Sequence, residues 1–239
     1  ILELNEPDII AYFKKKADWL IGHNETGKLT NHQALAALAL TNVYLLTKDK
    51  RYQEEANKRI ELALSWQDPE GWFQEYEGAD PGYHTYAIDF LAKYHSKTGD
   101  AKVVEPLKRA IEFASYFIHP DGSYGGEYGS RNTYNFLPHG FELASRYIPV
   151  ATQITDLFLK GLGGGKHACF DDDRIFGHQT FDFLQAYLDY NQNRSGSLEG
   201  RGSFTCYFPN SRLFVQQSGQ RYHVISLAKG GVCKSYNSN

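Results

Sequence analysis

The sequence predicts a mainly α protein: an incomplete α/α toroid of helical hairpins, then a short antiparallel β segment that begins a β-sandwich or packs on the helices. Three observations carry this. A 51-residue spacing runs without a gap through the first 150 residues, so that Trp66-Gln-Asp68-Pro69-Glu-Gly71 recurs as Phe117-Ile-His119-Pro120-Asp121-Gly122. Apolar residues inside each repeat follow helical periodicity. After Asn191 the pattern gives way to alternation of the kind strands show. A period of this length marks a supersecondary unit that buries its core by stacking on copies of itself.

An opening helix is expected over about Pro7–Ile21, ahead of the first hairpin. The inner helices of the first two hairpins start near Thr30 and Tyr83, and Thr30-x-x-Gln33 reads as a capping box. The second helix of each hairpin covers roughly Tyr52–Trp66, with Tyr52, Ala56, Ile60 and Ala63 on one face, and Val103–Ile118, with Val103, Leu107, Ala110, Ile111 and Ala114. Short turns at Lys48–Lys50 and Thr98–Asp100 close the hairpins. Longer loops, 67–82 and 119–133, join one hairpin to the next and are expected on one face, with residues 1–190 otherwise almost entirely helical. A third unit is expected to begin at Tyr134 and to end near Leu159, before Gly161-Leu-Gly-Gly-Gly165 breaks the pattern. A further helix follows at about Phe176–Tyr190. A linker composition, Asn191-Gln-Asn-Arg-Ser-Gly-Ser197, then separates residues 1–195 from 196–239. In the second part Arg212–Gln217, a Ser218-Gly219 turn and Tyr222–Leu227 read as a β-hairpin, with another strand from Lys229.

Composition narrows the function. A hydrophobic content of 41% supports a packed core, and no apolar run is long enough to span a membrane. The formal charge of −3 argues against broad nucleic-acid binding, which needs a basic face. Cys169, Cys206 and Cys233 cannot all pair and form no C-x-x-C, so free thiols are expected, which leans toward a reducing compartment. Bacterial periplasmic or extracellular and cytoplasmic placements both stay open. The first residue, Ile1, and an end directly after a strand-like segment suggest a piece of a longer chain.

The register sets Asn31-His32-Gln33, Gly82-Tyr83-His84 and Thr133-Tyr134-Asn135 at equivalent positions, so one edge of the array carries Asn-His, Tyr-His and Tyr-Asn. Glu75-Tyr-Glu-Gly78 precedes the second of these. In these motifs, and in the tail Leu213–Gly231, the chain resembles the heparinase II/III and oligo-alginate lyase group of polysaccharide lyases. That resemblance covers most of the chain through short motifs. It implies an α/α toroid joined to β-sandwich sheets, an acidic, uronate-containing glycan as partner, β-elimination as the reaction and no cofactor or metal. Carried over, it makes Tyr83 the catalytic tyrosine and sets Asn31 and His32 on the substrate carboxylate. The group's further histidine, supplied by its β-domain, has no clear match here, since the context of His223 does not fit.

The chemistry explains those residue types. The C5 proton of a uronate becomes removable once donors neutralise the adjacent carboxylate, the task given to Asn31 and His32. A phenol with an ordinary pKa of about 10 needs nearby positive charge to act as base, which His84, Arg131 or His139 would supply. The same phenol then protonates the leaving oxygen. Trp72 and Tyr76 are candidate sugar platforms, and Tyr134 completes the equivalent positions as a further substrate contact. Trp66 and Phe73 read as core.

Two other readings stand beside elimination. Glu75 and Glu127, in equivalent loops, suit the acid/base pair of a glycoside hydrolase on the same toroid. A glycan-binding or envelope-assembly protein without turnover also fits, given the missing histidine. Asp171-Asp172-Asp173 lacks the spacing of a calcium loop and reads as a helix-capping turn. Gly163-Gly-Gly-Lys-His167 is not a phosphate loop and reads as a flexible connection.

Overall fold

The computed structural model describes residues 6–167, 173–194, 202–228 and 230–237, with eight α-helices and one four-stranded antiparallel sheet among them. The helices are α1 (Pro7–Gly22), α2 (Thr30–Thr47), α3 (Lys50–Ser65), α4 (Pro81–Thr98), α5 (Val104–Ala114), α6 (His139–Ala144), α7 (Pro149–Gly163) and α8 (Asp173–Leu188). They stack in two rows. Helices α2, α4, α6 and α8 touch in succession, while α3, α5 and α7 each back onto a member of that inner row.

The rows differ as burial requires. Helix α3 is amphipathic: Tyr52, Ala56, Ile60 and Ala63 are buried as the periodicity predicts, and its charged face meets solvent. Helix α4 lies between neighbours and buries eleven of its eighteen residues, so its apolar positions run nearly all round. Turn chemistry ends each hairpin. Lys48 and Gly99 take left-handed conformations at equivalent C-termini, and Asp49 and Asp100 cap the following helices by accepting from Arg51 N–H and Lys102 N–H.

The 51-residue register survives at atomic detail in the two interhairpin turns. Gly71 N–H donates to Asp68 O and Gly122 N–H to His119 O, at 2.9 and 2.8 Å, and the short bridges Gln67↔Phe73 and Ile118↔Tyr124 follow in step. Both glycines have positive φ, 102° and 81°. A Cβ there would lie 2.4 Å from Arg109 O of α5 or from Leu157 O of α7. Each turn therefore presses against the backbone of the next outer helix, and a side chain would force the repeats apart.

Several expectations are corrected. Thr30 and Gln33 form no capping box: Leu29 is the N-cap, the Thr30 hydroxyl donates to Gln74 O, and the Gln33 amide holds Asn24 and the buried Arg59. The third unit does not begin as a helix at Tyr134. Residues 132–138 are irregular, Asn132 has a φ of 59°, and α6 starts only at His139, after Pro138. Residues 1–190 are thus not almost wholly helical, because loops 66–80 and 115–138 are long, irregular and largely buried. Their many aromatics explain this: Phe73, Phe117, Tyr124, Tyr128 and Phe136 all join the core.

The strands are β1 (Phe204–Phe208), β2 (Leu213–Ser218), β3 (Arg221–Ser226) and β4 (Val232–Asn237), paired in chain order. Strand β1 was not foreseen. On the face turned to the helices Leu213, Val215, Tyr222 and Val224 are buried, with Val215 opposite Val224. Phe208 sits against Phe113, Tyr116 and Phe117, with ring centroids 5.0, 5.3 and 6.2 Å away. Burying such a ring contributes roughly 2 kcal/mol. Tyr222 donates to Tyr116 O at 2.6 Å, and Tyr236 stacks on His119 at 3.9 Å. Of the two placements expected, the described residues show the sheet packed on the helical array. Cys206 and Cys233 are free thiols, while Cys169 and Asp171-Asp172 lie outside the described residues.

Candidate functional site

Loops 67–82 and 119–133 meet on one face, at the N-terminal ends of α2 and α4. Ser130 N–H donates to Ala79 O at 2.9 Å, and the Ser130 hydroxyl donates to Glu75 O at 2.8 Å. Asp80, almost fully buried, is the fastener. Its carboxylate caps α4 by accepting from Tyr83 N–H at 2.9 Å, accepts from Arg131 N–H at 2.7 Å and also takes the Thr133 hydroxyl. One side chain therefore sets the positions of Tyr83 and Arg131 together.

Tyr83, in the first turn of α4, is half-buried, with its ring against Tyr76 at 5.5 Å. The Arg131 guanidinium lies over that Tyr76 ring, 4.2 Å from its centroid, a cation–π contact. Burial, then Tyr76, push the Tyr83 phenol above its ordinary value, and Arg131 pulls it down. Tyr76 and Glu25 line an open cavity of about 750 Å³ between residues 24–29 and 74–77. His32 pairs with Glu25 at 2.7 Å, on the edge of the same region. Tyr83, Tyr76 and Arg131 are thus brought together, with His32 attached through Glu25.

Other expected site residues are placed differently. Asn31 is buried and spent on Glu75: its backbone N–H donates to Oε1 at 2.8 Å and its amide to Oε2 at 2.7 Å. Asn31 is buried and its backbone and amide nitrogens are both held by Glu75, so the expected contact with a substrate carboxylate is corrected to a positioning role. Burial drives Glu75 up to about 8, against the downward pull of the two Asn31 donors. His84 is fully buried, accepting from Phe73 N–H at Nδ1 and donating to Ala110 O from Nε2 at 2.9 Å. Burial lowers it to about 4. It is a neutral packing residue and cannot touch substrate. Trp72 is buried with its indole donating to Glu70, so it is no sugar platform. Tyr134 is exposed beside the Glu127–Lys234 ion pair, where the Lys234 Nζ lies 5.9 Å from its ring. His223 hydrogen-bonds Ser235 on the sheet.

A second feature lies deeper. Tyr83, Tyr86 and Phe90 make a chain of ring contacts down α4, at 5.9 and 6.1 Å. Phe90 then lines a cavity of about 400 Å³ whose walls come from α2, α4, α6 and α8 and from Leu137. In it Lys93 donates to Asp89 Oδ2 at 2.7 Å and to Asp182 Oδ2 at 2.8 Å. His139 N–H donates to Asp182 Oδ1, and its Nε2 meets Asp189 Oδ2 at 2.9 Å. His139, expected at the substrate, thus belongs to this interior cluster. Burial and then Asp182 raise the Asp89 carboxyl, while burial lowers His139 despite its bond to Asp189. Asp89, Lys93, Asp182 and Asp189 went unremarked in the sequence. The local signal was a charged pair, Asp89 and Lys93, one turn apart amid Ile88, Phe90, Leu91 and Ala92; Asp182 joins it only through the fold.

Comparisons with models of protein families, with curated proteins and with solved structures gave no match to this chain.

Proposed function

We propose that this chain is a polysaccharide-lyase-like unit, built as part of an α/α toroid, that acts on an acidic, uronate-containing glycan by β-elimination. The observation that carries the reading is the grouping of Tyr83, Tyr76 and Arg131 at the start of α4, beside an open cavity and the His32-bearing end of α2. Two rows of hairpins with their long loops on one face support the toroid.

In this mechanism Arg131 neutralises the uronate carboxylate, a role that Asn31, committed to Glu75, does not fill; His32, whose Nδ1 is held by Glu25, flanks the site. Tyr76 provides a ring against the sugar. Tyr83 removes the C5 proton and returns one to the leaving oxygen. Its raised pKa suits the second step, and the first draws on the Arg131 charge to stabilise the phenolate. The hydrolase reading loses support from the carboxylates themselves. Glu75 is fully buried on Asn31 and Glu127 is paired with Lys234, so neither faces the cavity as a free acid/base group.

The test incubates the protein with alginate and with heparan-type polymers. Elimination produces a 4,5-unsaturated sugar that absorbs ultraviolet light. New reducing ends without that chromophore mean hydrolysis, and binding without either product means a glycan-binding protein; both outcomes contradict the proposal.

A further inference from the structure

The interior cluster holds an arrangement that elimination does not use. His139 Nε2 donates to the Asp189 carboxylate at 2.9 Å, which leaves the lone pair on Nδ1, and Nδ1 is buried with no hydrogen-bond partner among the described residues. Asp89 Oδ1 is likewise buried and without a partner. Ligand atoms of Asp89, His139 and Asp182 all lie within 4.8 Å of one another. His139 and Asp89 are 4% and 0% exposed. Buried acceptors left unsatisfied are unfavourable, and a bound cation would satisfy both.

We propose that Asp89, His139 and Asp182 bind one divalent cation of the zinc class, with further coordination positions opening on the cavity between α2, α4, α6 and α8. The surroundings are those a metal site requires. An imidazole that ligates through one nitrogen is oriented by a carboxylate on the other, which is the part Asp189 plays. Lys93 contributes no ligand. It binds Oδ2 of both aspartates and leaves Asp89 Oδ1 without a partner. One nitrogen and two oxygens suit zinc better than calcium or magnesium, which take oxygen ligands alone. Tetrahedral zinc, with bonds of about 2.0–2.2 Å, needs ligand atoms roughly 3.4 Å apart. The present separations lie within 4.8 Å. None of its residues belongs to the Tyr83, Tyr76 and Arg131 grouping, so it stands or falls independently of the elimination chemistry.

The experiment uses the whole protein, stripped with a chelator and titrated with Zn²⁺ by calorimetry. One equivalent should bind. His139→Gln and Asp89→Asn should each lower the affinity at least tenfold, and Asp189→Asn, which removes only the orienting carboxylate, by roughly tenfold. His223→Gln, on the exposed sheet, should change nothing. Co²⁺ in the wild-type protein should give the d–d absorption of a four- or five-coordinate site, and X-ray absorption should find one imidazole with oxygen ligands. Those wild-type spectra decide the matter even if a variant fails to fold. Absence of stoichiometric binding overturns the proposal. So does binding that persists unchanged in His139→Gln and Asp89→Asn, equal affinity for Ca²⁺ or Mg²⁺, or a metal shell without imidazole.

Discussion

Replacing Asp80 by alanine should loosen the whole face on which Tyr83 stands. Its carboxylate caps α4, and loss of such a cap costs about 1 kcal/mol. It also accepts from Arg131 N–H at 2.7 Å, and a hydrogen bond to a charged group is worth about 1.5–3 kcal/mol. The Thr133 hydroxyl, half-buried, finds water more readily and adds about 0.5–1 kcal/mol. The expected loss is therefore about 3–5 kcal/mol. For a chain of this size that corresponds to a fall in Tm of roughly 10 °C. Urea unfolding followed by circular dichroism measures it. Asp80→Asn should fall between wild type and alanine, because one oxygen still accepts while the amide nitrogen faces a donor, whichever way it is turned. A loss below about 1 kcal/mol in Asp80→Ala would refute the view that this side chain holds the two loops together.

Acid should destabilise the protein through its buried histidines. His84 and His119 are held down to about 4 and about 3 by burial, so both are neutral when folded. Because the unfolded chain takes up protons near 6.5, this stability is present above that pH and is lost as pH falls toward 4. His84 alone accounts for about 3 kcal/mol; an imidazole that titrates near 6.5 by NMR would contradict this. Glu75, raised to about 8, has the opposite sign: its contribution is full below 4.5 and is lost as pH rises through 8. Glu75→Gln should flatten that limb of the stability profile, and an unchanged slope would count against a buried, protonated Glu75. Gly140→Ala puts a Cβ 2.4 Å from Asp89 Cα, where α6 crosses α4. Parting the helices should cost about 1–3 kcal/mol, and a neutral result in urea unfolding would show that this contact yields freely.

The repeat register was legible because each hairpin reuses the same turn chemistry. Gly71 and Gly122 are forced by contacts with the next repeat, and a fixed period in sequence became a fixed geometry in space. The outer helices were equally plain, since α3 and α5 have one buried face. The long loops were not. Their backbone pairs through isolated bridges and through side chains such as Asp80 and Ser130, and no periodicity records that. The surroundings of the candidate residues were less legible than their register. His32, Tyr83 and Tyr134 share a register position, yet His32 turns to Glu25 and Tyr134 to Glu127 and Lys234, while the neighbouring Asn31 is spent on Glu75. Only Tyr83 lies beside Tyr76 and Arg131. Nothing local distinguishes a histidine that packs, like His84, from one in an interior charged cluster, like His139. The difference arises from α8, which brings Asp182 and Asp189 from more than forty residues away.

The most direct measurement compares wild type with Tyr83→Phe on a uronate polymer, following the ultraviolet absorbance of the unsaturated product while circular dichroism verifies the fold. The phenol is asked to move both protons, so wild type should form the chromophore and the phenylalanine variant should lose nearly all of kcat while KM changes little. Arg131→Ala should retain some turnover at a reduced rate, since loss of one stabilising donor costs about 3 kcal/mol. Full activity in Tyr83→Phe, or no unsaturated product from the wild-type protein on any uronate polymer, would contradict the account.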